Sequence, residues 1–285
     1  MATLGSNVTR SIAQTAQYIQ ELWTRDIQQP FDATLQIAKL VKNYGSLVAD
    51  GGDVVRVPFV ASVNARAKSA STDITYDSPE GTAIAHNIDK HYYVAYKLED
   101  IAKVQSNYDL KAPFQQRLFE GVARQIDTDL MALYASAGST VTGGAAIDDT
   151  DILAVVLDFD EANTPQDGRR GVVGHNTKND LLAVNKYVAY DQTGKTGKAV
   201  DGSTGLIGSV YGIDLYHSGN VPTSTTGRNL FFHKNAIAYL PQLRPTVKME
   251  DSVDSLAMKV AVHAIYGVGV ERASSVIELT RNTAP

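Results

Sequence analysis

The stretch that comes nearest to a catalytic or binding motif contains one glycine followed by a lysine. Residues 189–196 read Ala-Tyr-Asp-Gln-Thr-Gly-Lys-Thr, a permissive form of the phosphate-binding loop with Lys195 as the phosphate ligand. Such a loop works because a strand enters it and a helix leaves it, so that backbone N–H groups point at the phosphates. Here glycines recur through position 205, and glycine disfavours the required helix. We interpret residues 190–205 as an exposed loop, and a nucleotide-binding enzyme remains a remote alternative.

A second stretch offers the oxygen ligands that calcium takes, namely Asp158, Asp160, Asn163 and Asp167. The spacing fails the calcium-loop template, because Ala162 occupies a ligand position and no glycine makes the turn. The histidines are scattered, and the absence of cysteine excludes disulfides and thiolate catalysis. No nucleophile elbow or dinucleotide fingerprint is present. The sequence predicts no catalytic residue, no metal site and no cofactor.

Composition limits the class of protein further. With 285 residues, 44% of them hydrophobic and 20% charged, the chain is typical of a globular protein with a sizeable core. The net charge of −5 argues against a protein whose main task is to grip phosphate backbones. No apolar run is long enough to span a bilayer, and the first residues lack the pattern of a secretion signal, so we expect no membrane association.

The elements that would have to position any site are organised around one long helical pattern. Apolar residues recur in steps of three and four at Phe114, Leu118, Val122, Ile126, Leu130 and Leu133, which predicts a helix over residues 114–137. Such a helix would be roughly 36 Å long. Asp109 is its predicted N-cap and Gly138 its stop. The opposite face carries Gln115, Gln116, Glu120, Arg124 and Asp127, so we expect an amphipathic spine lying across a sheet.

Extended segments flank this helix. Residues 54–60 predict a strand, and Pro58 within it indicates either an edge strand or a bulge. The chain returns over residues 82–98 with apolar residues at period two, so the two arms predict a protruding β-hairpin with a polar tip at residues 62–81. The longest alternation covers residues 256–270 and predicts a strand beneath the spine helix.

The remaining segments are shorter. Residues 1–45 contain amphipathic stretches, around Trp23 and Phe31, that are too short to bury their own apolar faces. Residues 139–146 read as a linker of small residues. We expect helices over 148–162 and around 180–188, a short buried strand at 171–174, and strand-like patterns at 206–215 and 229–240.

The order of these elements resembles one family, the major capsid protein of tailed double-stranded DNA phages with the Hong Kong 97-type fold. The likeness is carried by short motifs spread along almost the whole chain: Gly-Asp-Val-Val-Arg-Val-Pro at 52–58, Leu-Glu-Asp at 98–100, Val-Ala-Arg-Gln-Ile-Asp at 122–127, Pro-Gln-Asp-Gly-Arg at 165–169, Gly-Leu-Ile-Gly-Ser-Val-Tyr-Gly-Ile-Asp at 205–214 and Tyr-Gly-Val at 266–268. Each motif alone is weak, and their order makes the resemblance.

The resemblance implies an α+β fold with a defined division of the chain. Residues 1–45 are similar to an N-terminal arm, and residues 46–98 to an extended loop built as a β-hairpin. Residues 99–140 and 236–285 resemble a peripheral domain with the spine helix over an antiparallel sheet. Residues 141–235 resemble an inserted axial α/β domain, with the loop at 191–205 as its tip.

The resemblance also implies the function. It predicts a non-enzymatic shell subunit that assembles with itself into hexamers and pentamers around phage DNA, located in the virion and assembled in the host cytoplasm. The implied subunit-interface candidates are Trp23, Phe31, Arg66, Lys68, Tyr76, Asp191, Lys195 and Lys198. Further expected partners are a separate scaffolding protein, a portal, decoration proteins and DNA, which would be contacted weakly through residues such as Arg10 and Arg25. An encapsulin-type nanocompartment shell protein remains an alternative with the same fold.

Overall fold

The computed structural model describes residues 37–49, 51–60, 65–71, 73, 74, 76, 81–99, 111–188, 206–222, 226–252 and 256–282. Its helices are α1 Gly45–Val48, α2 Lys111–Met131, α3 Asp149–Glu161, α4 His175–Ala183 and α5 Asn185–Val188. Its strands are β1 Lys42–Asn43, β2 Val54–Val60, β3 Gly81–Asn87, β4 Lys90–Glu99, β5 Ser139–Thr142, β6 Arg169–Val173, β7 Leu206–Val210, β8 Ile213–His217, β9 Thr226–His233, β10 Ile237–Ser252, β11 Ala257–Val270 and β12 Val276–Asn282.

The first core lies between helix α2 and a four-stranded sheet of order β1-β10-β11-β4. Alternate residues of β11 from Met258 to Tyr266 are buried, and they pack in one cluster with Leu118, Val122 and Ile126 of α2. Burying each such side chain stabilises the fold by roughly 1.5–3 kcal/mol. The spine helix over the long strand, which the sequence predicted, is therefore confirmed.

A six-stranded sheet of order β5-β12-β9-β6-β8-β7 follows, and its central strands are buried on both faces. Phe231 points into a second core with α3 and α4, whereas its neighbour Phe232 points into the core beneath α2. Val172 and Val173 divide in the same way between the two cores. The six-stranded sheet therefore contributes one face to each of the two cores.

Helix α3 begins at a capping box. The side chain of Asp148 accepts hydrogen bonds from the backbone N–H groups of Thr150 and Asp151, and Asp151 accepts from the N–H of Asp148 in return. Three apolar residues of α3 are fully buried against the six-stranded sheet: Ile152, Val155 and Phe159. The helix predicted over residues 148–162 is confirmed.

Strands β2 and β3 form a separate two-stranded ribbon, in continuous antiparallel register from Val54 opposite Asn87 to Val60 opposite Gly81. Pro58 lies opposite Ala83 on an edge strand, as the sequence predicted. The predicted tip at residues 62–81 lies partly outside the described residues.

The returning arm predicted over residues 82–98 is not one strand. It divides at Ile88 and Asp89 into β3, which belongs to the ribbon, and β4, which pairs with β11 from Glu99 opposite Ala257 to Lys90 opposite Tyr266. The period-two pattern continues through the division, so periodicity alone could not locate it.

Several shorter predictions also need correction. Residues 139–146 are not a linker throughout, since Ser139–Thr142 pairs in parallel with β12. Residues 206–215 contain a hairpin turn at Tyr211 and Gly212, both with positive φ, and residues 229–240 span parts of β9 and β10. The helix expected around residues 180–188 is two helices, α4 and α5, and the first begins at His175.

Helix α2 ends earlier than predicted, at Met131, and a 3₁₀ turn Ala132–Ser136 continues it. Gly138 is needed for a close contact, because a Cβ there would lie 2.4 Å from the carbonyl oxygen of Ala273. Asp127, which was expected on the polar face, is fully buried. The segment Ile37–Lys39 also packs against α2, and helical spacing cannot reveal a contact so distant in sequence. The predicted N-cap Asp109 lies outside the described residues.

Candidate functional site

The structure's most distinctive functional feature is the junction between the β2–β3 ribbon and the body. A Cβ at Gly267 would lie 2.4 Å from the carbonyl oxygen of Asn87, and a Cβ at Gly269 would lie 2.2 Å from Nδ1 of His86. Side chains at these two positions of β11 would push the base of the ribbon away. The ribbon can lie directly on the body because two glycines, separated by a single residue, leave room for it.

Backbone hydrogen bonds fix the other side of the junction. The N–H of Ile88 donates to the carbonyl oxygen of Asp53 at 2.8 Å. The side-chain amide of Gln242 donates to the carbonyl oxygen of Gly52, also at 2.8 Å. Both strands of the ribbon are therefore anchored where they enter the body.

His86 is buried at this junction with 4% of its surface exposed. Burial lowers the pKa of its imidazole, and the nearby carboxylate of Glu271 opposes that shift only in part. Within the described part of the chain, no hydrogen-bond partner is found for Nε2 of His86. Oε2 of Glu271 lies 3.4 Å from Nζ of Lys42 in β1. Ionisable residues of β1, of the ribbon and of the segment that follows β11 thus lie close together at the junction.

The ribbon and the loop between its strands expose apolar side chains. Val54 and Phe59 are 38% and 40% exposed, and Tyr76 in the following loop is 84% exposed. The guanidinium of Arg272 lies 5.8 Å from the centre of the Phe59 ring. A two-stranded ribbon of this kind is marginal in water on its own.

The polar side of α2 meets β11 through a buried carboxylate. Asp129 accepts hydrogen bonds from the hydroxyl of Tyr266 at 2.8 Å and from the side-chain amide of Gln125 at 3.0 Å. Nζ of Lys90 lies 3.3 Å from the same carboxylate. Burial, together with this hydrogen bond, raises the pKa of the Tyr266 hydroxyl. The network ties the spine helix to β4 and β11, the strands next to the ribbon.

A second network lies at the base of the loop that the sequence assigned to the axial tip. Asp149 accepts hydrogen bonds from Lys186 at 2.8 Å, Tyr187 at 2.5 Å and Tyr211 at 2.7 Å, and Lys186 also donates to Tyr211. Burial opposes ionisation of Asp149, but the bonds from its three donors outweigh burial and lower the pKa of its carboxyl. Burial raises the pKa of Tyr187. Residues before and after the 189–205 segment are thereby fixed to the start of α3.

The structure places only some of the predicted interface residues. Arg66, Lys68 and Tyr76 are exposed in the segment between the ribbon strands. The other candidates, Trp23, Phe31, Asp191, Lys195 and Lys198, lie outside the described residues, as do Arg10 and Arg25. The sequence reading missed the glycines and the histidine of the junction. The pair of glycines at positions 267 and 269 within a long strand was the signal that could have revealed a close backbone approach.

The carboxylates that the sequence offered as possible calcium ligands form ion pairs and hydrogen bonds within the fold. Asp160 pairs with Arg169 at 2.7 Å, Asp167 pairs with Lys234 at 2.8 Å, and Asp158 accepts a hydrogen bond from Ser139. Among the described residues, no group of three His, Cys, Asp or Glu side chains could hold a metal ion. No described helix is long and apolar enough to cross a membrane. The lysine of the phosphate-loop spelling lies outside the described residues.

Comparison with protein families identifies the fold. Residues 94–279, which hold the spine helix, the six-stranded sheet and the long strands, match the model of a family described as phage capsid protein. This chain belongs to the phage capsid protein family. The prediction of a major capsid protein is thereby confirmed, and the encapsulin-type alternative is not favoured. Comparison with curated proteins finds no match.

Solved capsid structures share the architecture at low sequence identity. The chain is similar to a structure titled Mycobacterium phage Che8, with 24% identity, a TM-score of 0.79, and coverage of 92% of this chain and 97% of that chain. It is also similar to the capsid of Cyanophage P-SCSP1u, with 16% identity, a TM-score of 0.75, and coverage of 96% and 98%. The capsid of Ralstonia phage GP4 matches with 13% identity, a TM-score of 0.68, and coverage of 100% and 99%. The predicted Hong Kong 97-type fold, with mixed helices and sheets, is confirmed.

Proposed function

We propose that this phage capsid protein is a non-enzymatic subunit that assembles with itself into hexamers and pentamers, which close into the icosahedral shell around the phage's double-stranded DNA. The observation that carries the proposal is the family match over residues 94–279. The nearly full-length likeness to structures titled as capsids supports it. The virion is then its location, with assembly in the host cytoplasm.

The geometry suggests how one subunit would hold the next. The body has two cores of its own, whereas the β2–β3 ribbon exposes Val54 and Phe59. A two-stranded ribbon that leaves apolar side chains exposed gains stability by lying on a neighbour. Because such a contact joins different surfaces of the two copies, it generates rings that can close. We propose the same role for the N-terminal arm at residues 1–45, with Trp23 and Phe31 as its contacts.

The proposed division into domains gives each region a task. Residues 46–98 form the extended loop, with Arg66, Lys68 and Tyr76 near its tip. Residues 99–140 and 236–285 form the peripheral domain. Residues 141–235 form the axial domain, whose tip carries Asp191, Lys195 and Lys198 around the symmetry axes. The hydrogen bonds to Asp149 at the base of that tip support this assignment, because they fix the direction in which the loop leaves the body.

Further proposed partners follow from the task of a shell subunit. Contact with DNA would be weak and independent of sequence, since the chain carries a net charge of −5. Scaffolding, if used, would be a separate protein, and portal and decoration proteins would complete the particle.

The test is electron microscopy of the purified recombinant protein, with light scattering on the same sample. We expect closed shells, or rings of five and six, at high protein concentration. A folded protein that remains a monomer at every concentration, and also when co-expressed with the other structural proteins of its phage, would contradict the proposal. The matched control is a variant lacking ribbon residues 54–87, which we expect to form neither rings nor shells.

A further inference from the structure

Strand β4 is the outer strand of the four-stranded sheet, and its edge is long and regular. It pairs with β11 over ten residues from Lys90 to Glu99 without any shift in register. Within the described part of the chain, β4 packs on β11 and α2, and no strand covers its other edge. A strand edge of this length, when no other strand pairs with it, is a template for pairing with another chain.

The other outer strands carry features that prevent such pairing. Strand β5 has four residues, and β7 has an irregular register near Gly208. Strand β2 contains Pro58. Strand β1 has only two residues, and the neighbouring strand β10, which β1 covers only at Ala238 and Tyr239, contains prolines and two register shifts between Pro241 and Thr246. Strand β3 packs at its base on Gly267 of β11. Only β4, among the outer strands that the structure describes with more than five residues, has neither a proline, a shift in register nor a neighbouring element at its edge.

We propose that β4 pairs in antiparallel fashion with β4 of a second copy of this chain, across a twofold axis at Ala95, so that one sheet continues through two subunits. A twofold axis perpendicular to the sheet keeps each face on its own side, so the residues that oppose each other must belong to the same face. The contact is self-complementary: where one residue of the first copy lies opposite a second residue of the other copy, the same two residues also meet with the copies exchanged.

The charges of β4 select this register. On one face, Lys97 lies opposite Tyr93 of the second copy, an arrangement that favours a cation over an aromatic ring. On the same face, Glu99 lies opposite His91, so a carboxylate meets an imidazole. Tyr93 is 71% exposed in the subunit alone, which leaves its ring available for this contact.

The neighbouring registers are worse. With the axis at Val94, Glu99 would lie beside Asp89 of the second copy, which directly precedes β4, and like charges at such a position are destabilising. With the axis at Tyr96, the strands would overlap only over residues 93–99. On the other face of the preferred register, Val94 lies opposite Tyr96, which is a favourable aromatic and β-branched pair.

The chain contains no cysteine, so a single introduced thiol tests the contact directly. Ala95→Cys places a thiol at the axis, where directly opposed Cβ atoms are roughly 4.5–5.5 Å apart. We expect the full-length protein to form a covalent dimer on mild oxidation or with a short bis-maleimide, seen on a non-reducing gel. Ala261→Cys is the matched control, since Ala261 lies beside Ala95 on the same face of β11. The two copies of Ala261 would be about 14 Å apart, so we expect no dimer.

A second variant tests the charges. Lys97→Glu in the Ala95→Cys background should abolish the dimer, because it places a carboxylate where the cation meets Tyr93 and beside Glu99. Equal dimer formation by Ala95→Cys and Ala261→Cys, or an undiminished dimer in the Lys97→Glu variant, would overturn the inference. The inference rests on the proposed function only because both require that copies of this chain associate. Normal shells without an Ala95 dimer would refute the β4 contact alone, whereas a persistent monomer would count against both.

Discussion

Adjacent phenylalanines of β9 show how differently this chain treats its body and its ribbon. Phe231 and Phe232 are both fully buried, on opposite faces of the six-stranded sheet, and each enters a separate core. Phe59 in the ribbon is 40% exposed and touches the body through Arg272. The body is stabilised by its own packing, whereas the ribbon is positioned by its junction and leaves apolar side chains uncovered by the described part of the chain. Substitutions in the two regions should therefore separate folding from assembly.

The largest effect should come from the body. Phe231→Ala removes a fully buried ring that packs against Gly171 and the core beneath α3, so we expect a loss of roughly 3–5 kcal/mol in the free energy of unfolding. Urea unfolding followed by circular dichroism measures this loss. Phe59→Ala is the matched control, and its loss should be about 0.5–1 kcal/mol, the contribution of an exposed contact between Arg272 and the ring. Equal losses in the two variants would remove the distinction between body and ribbon.

The next effect should arise at the junction between the two regions. Gly267→Ala adds a Cβ only 2.4 Å from the carbonyl oxygen of Asn87, a backbone atom that cannot move aside without shifting the ribbon. We expect a loss of roughly 1–3 kcal/mol in the free energy of unfolding. We also expect faster hydrogen exchange over residues 81–87, measured by mass spectrometry.

Another strand glycine provides the control for that substitution. A Cβ at Gly227 in β9 would lie 3.4 Å from Cβ of Arg281, an ordinary contact distance. Gly227→Ala should therefore be neutral or stabilise by about 0.4–1 kcal/mol, since alanine restricts the unfolded chain. If both alanine variants behaved alike, the close approach of the ribbon to β11 would not limit position 267.

A smaller effect concerns the stability of the folded protein at acidic pH. Burial holds the pKa of His86 below its ordinary value, so the folded state favours the neutral imidazole. The unfolded chain binds the proton more readily, and stability present above about pH 6.5 is lost as pH falls towards the folded pKa. His217 and His233 are shifted in the same direction, also by burial, and contribute to the same loss. We expect His86→Gln to reduce the difference in unfolding free energy between about pH 7.5 and about pH 5 by up to ~1 kcal/mol.

His91 gives a matched control for the acid effect, because it is exposed and follows His86 at the start of β4. We expect His91→Gln to change urea unfolding less than His86→Gln does, because the side chain of His91 is exposed. A His86→Gln protein with the wild-type pH dependence would show that the buried imidazole does not contribute to the acid sensitivity of the junction.

The same contrast explains which parts of the fold the sequence could predict. Helix α2, helix α3 and strand β11 each bury one face. Apolar residues spaced by three and four positions therefore reveal the helices, and apolar residues at every second position reveal the strand. Strands β6, β9 and β12 bury both faces, as Phe231 beside Phe232 shows, and a continuous apolar run carries no period. The spacing also could not show that Asp127 would be enclosed or that the arm at 82–98 would divide between two sheets.

The candidate site was predictable only in outline. The sequence indicated a protruding hairpin, because Pro58 and a polar tip interrupt two extended arms. It did not indicate what anchors that hairpin, since the junction joins residues far apart in the chain, such as Gly267 with Asn87 and Gln242 with Gly52. The hydrogen bonds to Asp149 were hidden for the same reason, because α5 and the turn at Tyr211 meet α3 only in the folded protein.

Substitution of Tyr76 should have the smallest effect on folding stability but a large effect on assembly. Tyr76 is 84% exposed, so Tyr76→Ala should change the free energy of unfolding by no more than ~0.5 kcal/mol. If the ribbon and its loop lie on a neighbouring copy, the same substitution removes a large aromatic side chain from that interface, a residue type enriched among those that dominate binding. We expect light scattering to show a higher concentration threshold for rings and shells, and circular dichroism to show an unchanged melting curve. Unchanged assembly would mean that the ribbon contacts its neighbour elsewhere than at Tyr76. A lowered melting temperature with normal assembly would mean that this loop stabilises its own subunit. The contrast between body and ribbon would then fail at the most exposed residue of the loop.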